Sequence, residues 1–215
     1  QSAILATRLA AGGYEASPDV LEHATGFLRA HSPSGTPDLA ERDHALGREW
    51  RLLRHGIHLK RYPLCYSTHR AIDAMLAIVE ANDLAPGDVR EIRVGAGSSE
   101  LLMLRNHAPV TGLEAKFSME FAMASALVAR RVGLRELTDA FVRRPEVVEA
   151  MGKVVSTAIH DGIPGQPDGE PDTVEVELVS GEVLGHPPVA NARGSWQAPI
   201  GPDELKTKFL DCTEG

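Results

Sequence analysis

Aromatic side chains are scarce in this chain: Phe, Trp and Tyr together make up 5% of the 215 residues. A core must therefore rest on Leu, Val, Ile, Ala and Met. Cysteine is rarer still, with only Cys65 and Cys212 and no C-x-x-C pair. That excludes a disulfide framework and predicts a reducing compartment, the cytoplasm. No stretch approaches the roughly 20 apolar residues a membrane-crossing helix needs. The longest run, residues 121–129, is interrupted by Ser125, and no signal peptide is visible. Positive charge is in deficit, the net being -8. Nucleic acid and anionic lipid are thus disfavoured partners, although a local basic cluster can still hold a small anion at close range. Gly95-Ala96-Gly97 lacks the rest of a phosphate-loop pattern, and no nucleophile elbow is present.

What is there suits a soluble globular fold, with 43% hydrophobic and 24% charged residues. The chain opens at once in a helical pattern, with Ile4, Leu5 and Leu9 at helical spacing and Gly12-Gly13 as the stop. That opening predicts a piece whose preceding helices lie upstream. Ser17-Pro18 reads as the start of a short helix over 19–23, and residues 36–47 as a weak polar helix. Residues 57–60 alternate like a strand or extended segment, stopped at Tyr62-Pro63. Ser67-Thr68 can cap the next helix, where Ile72, Met75, Leu76 and Val79 recur at amphipathic spacing.

Further on, residues 89–94 read as a strand, and residues 114–130 as one helix carrying Phe117, Phe121, Ser125 and Val128. Leu134, Leu137 and Phe141 mark another helix. Pro145 opens a third, with Val147, Val148 and Met151 inside. Residues 154–160 read as a strand, followed by a Gly/Pro/Asp loop over 161–171. Val174, Val176 and Leu178 alternate with Glu175 and Glu177, and Ser180-Gly181 turns the chain back. A last helix starts at Pro202 and is expected to bury Leu205 and Phe209, with Cys212 beside them.

Polar chemistry is densest between His55 and Arg70. His55, His58, Lys60, Arg61, Cys65, His69 and Arg70 all fall there, ahead of a helix N-terminus. Free N–H groups and the helix dipole favour an anion at such a place, by about 0.3–1 kcal/mol when exposed. A carboxylate clamp built on Lys60 and His69 competes with the plainer reading of a solvated basic surface. The spacing of His55, His58 and His69 matches no common zinc signature. Cys65, beside an aromatic, reads as a small core residue before a nucleophile. Lys116 stands against the dipole at a helix start; it either pairs with Glu114 or Glu120 or serves a site.

Four elements in series carry a resemblance. They are Lys60-Arg61-Tyr62-Pro63 with Thr68-His69; Glu114-Ala115-Lys116-Phe117-Ser118 running to Val132-Gly133; Gly194 to Pro199 with Asp203-Glu204-Leu205 and Lys208-Phe209; and the opening stretch to Gly26-Phe27. In this order they resemble the C-terminal part of the MmgE/PrpD family, which includes 2-methylcitrate dehydratase, cis-aconitate decarboxylase and iminodisuccinate epimerase. The resemblance implies an α+β fold, with a small α/β lid domain whose mixed or antiparallel sheet is packed by helices and preceded by helices of an all-α domain. Residues 1–47 would end the helical domain, 48–193 form the lid, and 194–215 return to the helical domain.

The resemblance also implies a homodimer without metal or organic cofactor that acts on a small carboxylate by proton abstraction. Lys60 and His69 match as catalytic residues, and Lys60, Arg61, Cys65, His69 and Lys116 as substrate-binding residues. Cys65 falls where the decarboxylase branch carries a histidine, which argues against cis-aconitate decarboxylation. The family's upstream acidic and histidine residues precede Gln1. The alternative is therefore a catalytically incomplete fragment that acts as a binding or oligomerisation domain.

Overall fold

The computed structural model describes residues 2–32, 47–48, 50–160 and 170–213, with the backbone alone at Arg51 and His55. Residues 36–46 of the polar helix expected over 36–47, and most of the 161–171 loop, lie outside the described residues. The chain divides into two compact units, Gln1–Arg54 and His55–Gly215.

In the first unit, α1 (Ser2–Ala11) buries no residue, and Ile4, Leu5 and Leu9 are exposed. Glycine stops it: the Gly12 amide donates to Arg8 O at 3.0 Å, and Gly13 turns into left-handed space at φ +86. The short helix expected over 19–23 is a set of turns. Ser17 hydrogen-bonds the Asp19 side chain at 2.6 Å, so its hydroxyl caps no backbone amide. Two five-residue helices follow, α2 (Phe27–His31) and α3 (Arg51–His55).

The second unit carries the core. Residues 57–60 form no strand; this extended segment is pinned where the Leu59 amide donates to Gly194 O at 2.7 Å. A 3-10 turn, Tyr66–Thr68, feeds α4 (His69–Asn82). Thr68 does not cap this helix. It already holds helical dihedrals, φ -98 and ψ -12, and its hydroxyl donates to Cys65 O at 2.8 Å. The amphipathic stripe forms as its spacing dictates: Ile72, Met75 and Val79 are fully buried, with Leu76 on the flank. Burying such a side chain contributes roughly 1.5–3 kcal/mol.

Strand β1 (Val89–Gly97) runs into α5 (Ser98–Met103). The single helix expected over 114–130 is two, α6 (Gly112–Ala115) and α7 (Met119–Ala129). Local capping divides them. The Thr111 hydroxyl accepts the Glu114 amide at 3.2 Å to start α6, and Ser118 Oγ accepts the Phe121 amide at 3.1 Å to start α7. Helix α7 is apolar all round, and every residue from Met119 to Leu127 is buried. Of the helix expected around Leu134–Phe141, only α8 (Asp139–Val142) forms. Pro145 opens α9 (Pro145–Met151), which buries Val147 and Met151 but leaves Val148 exposed.

Strands β2 (Val154–His160), β3 (Thr173–Leu178) and β4 (Val183–Gly185) complete a four-stranded sheet in the order β2-β1-β3-β4. β1 and β2 are parallel, while β1/β3 and β3/β4 are antiparallel, so the sheet is mixed. The register sets Ile92 against Val176 and Val94 against Val174, all four buried on the face that α4 and α7 cover. The opposite face carries ion pairs from Arg93 to Glu91, Glu175 and Glu177.

The final helix, α10 (Pro202–Thr213), corrects an expectation. Leu205 and Phe209 are not buried in this unit, and Cys212 is exposed as well. No described helix is long and apolar enough to cross a membrane.

Candidate anion site at the entrance of α4

His69, the first residue of α4, is fully buried, and neither ring nitrogen has a hydrogen-bond partner. Its ring meets Tyr62 edge-on at 5.1 Å and lies tilted against Tyr66 at 4.9 Å. Burial pushes its pKa down to about 4, and the Lys60 and Lys208 ammoniums push the same way. The Leu64 and Tyr62 carbonyls oppose this without reaching hydrogen-bonding geometry. His69 is therefore a neutral imidazole at neutral pH, with both nitrogens uncommitted.

Lys60 sits on the exposed extended segment and makes no ion pair among the described residues. Lys116 occupies the break between α6 and α7, not a helix start. It forms no ion pair with Glu114 or Glu120, whose carboxylates make other contacts. Glu114 accepts the Val110 and Thr111 amides at 2.8 and 3.2 Å. Glu120 accepts from Ser118 at 3.1 Å and lies 2.8 Å from His107 Nδ1. The Cys65 amide donates to Lys116 O at 2.8 Å, which joins the Lys60–Thr68 segment to the α6–α7 break. Cys65 itself is half-buried against the core.

Arg61 behaves differently. It pairs with Asp73 at 3.6 Å and Glu204 at 3.1 Å, and lies over the Tyr62 ring. Its charge is offset inside the unit. The Tyr62 hydroxyl donates to Asp73 Oδ1 at 2.6 Å, and the Arg193 amide donates to Asp73 Oδ2 at 2.7 Å. Burial raises the pKa of both groups, which also bear on each other. These side chains line a cavity of about 650 Å³. A neighbouring cavity of about 350 Å³ extends toward Lys208 and Cys212. Neither cavity includes Lys60, His69 or Lys116.

The structure thus joins the segments bearing Lys60, Cys65, His69 and Lys116 and turns Arg61 inward. Residue-by-residue reading missed Lys208, although the Lys208-Phe209 element was visible, and it missed the Tyr62–Asp73 pair. An i, i+11 spacing carries no local signal for such a pair.

An α+β unit that presents lysines around a helix entrance is the class of domain defined here. The family profile described as the MmgE/PrpD C-terminal domain matches residues 62–215, and the chain belongs to that family. Tyr62, Cys65, His69 and Lys116 fall within the match, while Lys60 and Arg61 lie just before it. No curated protein matches the chain.

Proposed function

We propose that this chain forms part of a lyase or isomerase of the 2-methylcitrate dehydratase kind, acting on a small di- or tricarboxylate. The observation that carries this reading is that Lys60 and Lys116, which make no ion pair among the described residues, lie on segments tied together beside a neutral, uncommitted His69. Removal of a proton next to a carboxylate builds enediolate-like charge, which fixed cations stabilise. Lys60 binds a substrate carboxylate, with Lys116 and Cys65 beside it. A carboxylate on Lys60 cancels one of the charges that hold the His69 pKa down, so His69 becomes a better proton acceptor once substrate is bound. His69 is fully buried against the Tyr62 and Tyr66 rings, so a ring must move aside for that transfer. The test is a panel of di- and tricarboxylates with the full-length natural protein. Lys60→Ala should lower kcat/KM about 10²-fold or more, as loss of a charge-stabilising group does. An unchanged value on the true substrate rejects this role.

A second reading is a binding or oligomerisation domain without turnover. The exposed Leu205, Phe209 and Leu210 of α10 favour it, since such a patch is stabilised by a second copy. Light scattering should then show a dimer. A monodisperse monomer, or turnover of 2-methylcitrate or a related acid by the 215-residue chain alone, counts against it.

A further inference from the structure

Parallel pairing of β1 with β2 brings four residues that are distant in sequence to one end of the sheet. His160 closes β2 opposite Gly97, Glu100 stands in the first turn of α5, Asp172 immediately precedes β3, and Arg70 follows His69 on α4. One ligand atom each from Glu100, His160 and Asp172 lies within 4.8 Å of the others. The Asp172 side chain is 1% exposed. Arg70 Nη2 lies 2.8 Å from Asp172 Oδ1 and also 2.8 Å from both Glu100 oxygens. The approach to Asp172 misses hydrogen-bond alignment, so neither Asp172 oxygen accepts a hydrogen bond; buried His160 Nε2 has no partner either.

Such groups are costly to bury. An unsatisfied buried polar atom costs about 1–3 kcal/mol, and more when charged. Arg70 offsets one of the two carboxylate charges and leaves one over. Burial and the neighbouring Glu100 push the Asp172 pKa up to about 7 against the pull of Arg70. A divalent cation would answer the unpartnered Asp172 oxygens and His160 Nε2 at once, with Glu100, already held by Arg70 and the Gly97 amide, as the third ligand. One imidazole and two carboxylates suit Zn²⁺ or Mn²⁺, whereas Mg²⁺ favours oxygen ligands alone.

We propose that Glu100, His160 and Asp172 form a structural site for a divalent transition-metal cation, with Arg70 as the neighbouring side chain that holds both carboxylates in place. His160 and Asp172 flank residues 161–169, so the cation ties the end of β2 to the start of β3 across that stretch. Glu100 links both to α5. The site is independent of the Lys60–His69 chemistry and takes no part in the proposed reaction.

The test is calorimetric titration of the chelator-treated 215-residue chain with ZnCl2 and MnCl2, with MgCl2 as control. One equivalent of Zn²⁺ should bind and raise Tm. Binding should be at least tenfold tighter at pH 8 than at pH 6, because the ligands must be deprotonated. Asp172→Asn, His160→Gln and Glu100→Gln should each weaken Kd at least tenfold, while His107→Gln, which is not a member of the cluster, should not. X-ray absorption on the Co²⁺-loaded wild type decides the matter where a variant fails to fold: one imidazole with oxygen donors supports the site, and two or more imidazoles reject it. Absence of saturable one-to-one binding, or equal affinity in the wild type and a folded Asp172→Asn variant, overturns the proposal and leaves a proton on Asp172 as the answer to the buried charge.

Discussion

The Tyr62 hydroxyl donates to Asp73 Oδ1 at 2.6 Å, holding the loop that leads from Lys60 against the first turns of α4. Asp73 also accepts the Arg193 amide at 2.7 Å, so one buried carboxylate joins three stretches of chain. Tyr62→Phe removes one donor and leaves the carboxylate in place. The expected loss is about 1–3 kcal/mol in urea denaturation. Asp73→Asn should cost a similar amount, and the double variant less than the sum, with a coupling of about 0.5 kcal/mol or more. Additive losses would show that the pair does not act as a unit.

Two buried groups give stability opposite pH slopes. His69 is held near 4 against an ordinary 6.5, so the unfolded chain takes up its proton first. That contribution, about 3 kcal/mol, is complete above pH 6.5 and is lost as pH falls through 4. In metal-free protein Asp172 is raised from 3.8 to about 7, so the folded state takes up that proton first. Its contribution is complete below pH 3.8 and is lost as pH rises through 7. Asp172→Asn removes only the second slope. With chelator present, the stability of this variant relative to wild type should climb from pH 4.5 to about 7 and level off above it. A difference that does not change with pH contradicts the raised Asp172 pKa.

Much of this architecture was legible because the signals were local and periodic. The stripe of Ile72, Met75 and Val79 marked α4, and the Val174–Val176 alternation marked β3. The break at Lys116 was misread because apolar composition runs straight through it, while the division rests on Thr111 and Ser118 hydroxyls accepting backbone amides. Leu205 and Phe209 have helical spacing, but spacing shows which face is apolar and not what covers it. The grouping of Arg70, Glu100, His160 and Asp172 was illegible for another reason. It depends on a parallel register between strands some sixty residues apart in sequence, and no window along the chain contains it.

Lys60 and Arg61 are neighbours in sequence with opposite commitments, and stability should separate them. Arg61→Ala loses the Asp73 and Glu204 pairs and the contact with the Tyr62 ring. With Arg61 partly exposed and screened, a cost of about 1 kcal/mol is expected. Lys60→Ala touches no ion pair among the described residues and should stay within about 0.5 kcal/mol of wild type. Thermal shift with citrate as the probe should reverse the order of importance, with stabilisation of wild type and Arg61→Ala but not of Lys60→Ala. Equal citrate shifts in all three proteins would remove Lys60 from the anion site.

Gly194 fixes where the Lys60 segment lies. It holds φ +94, and an added Cβ would fall 2.0 Å from Leu59 O, a carbonyl that cannot swing away as a side-chain tip could. The same glycine accepts the Leu59 amide through its own carbonyl at 2.7 Å and donates its amide to Ala198 O at 2.8 Å. Gly194→Ala therefore combines left-handed strain with a backbone clash and pushes the 57–60 segment off its anchor. A loss of about 1–3 kcal/mol is expected from the strain alone. Gly87→Ala is the matched control, since nothing lies within 4 Å of its added Cβ and its φ is ordinary. That variant should be neutral, or stabilised by about 0.4–1 kcal/mol through the unfolded chain. Urea denaturation of both proteins decides the point. If Gly194→Ala proves as stable as Gly87→Ala, the segment bearing Lys60 is not held by Gly194, and the position of the candidate anion site must be set by other contacts.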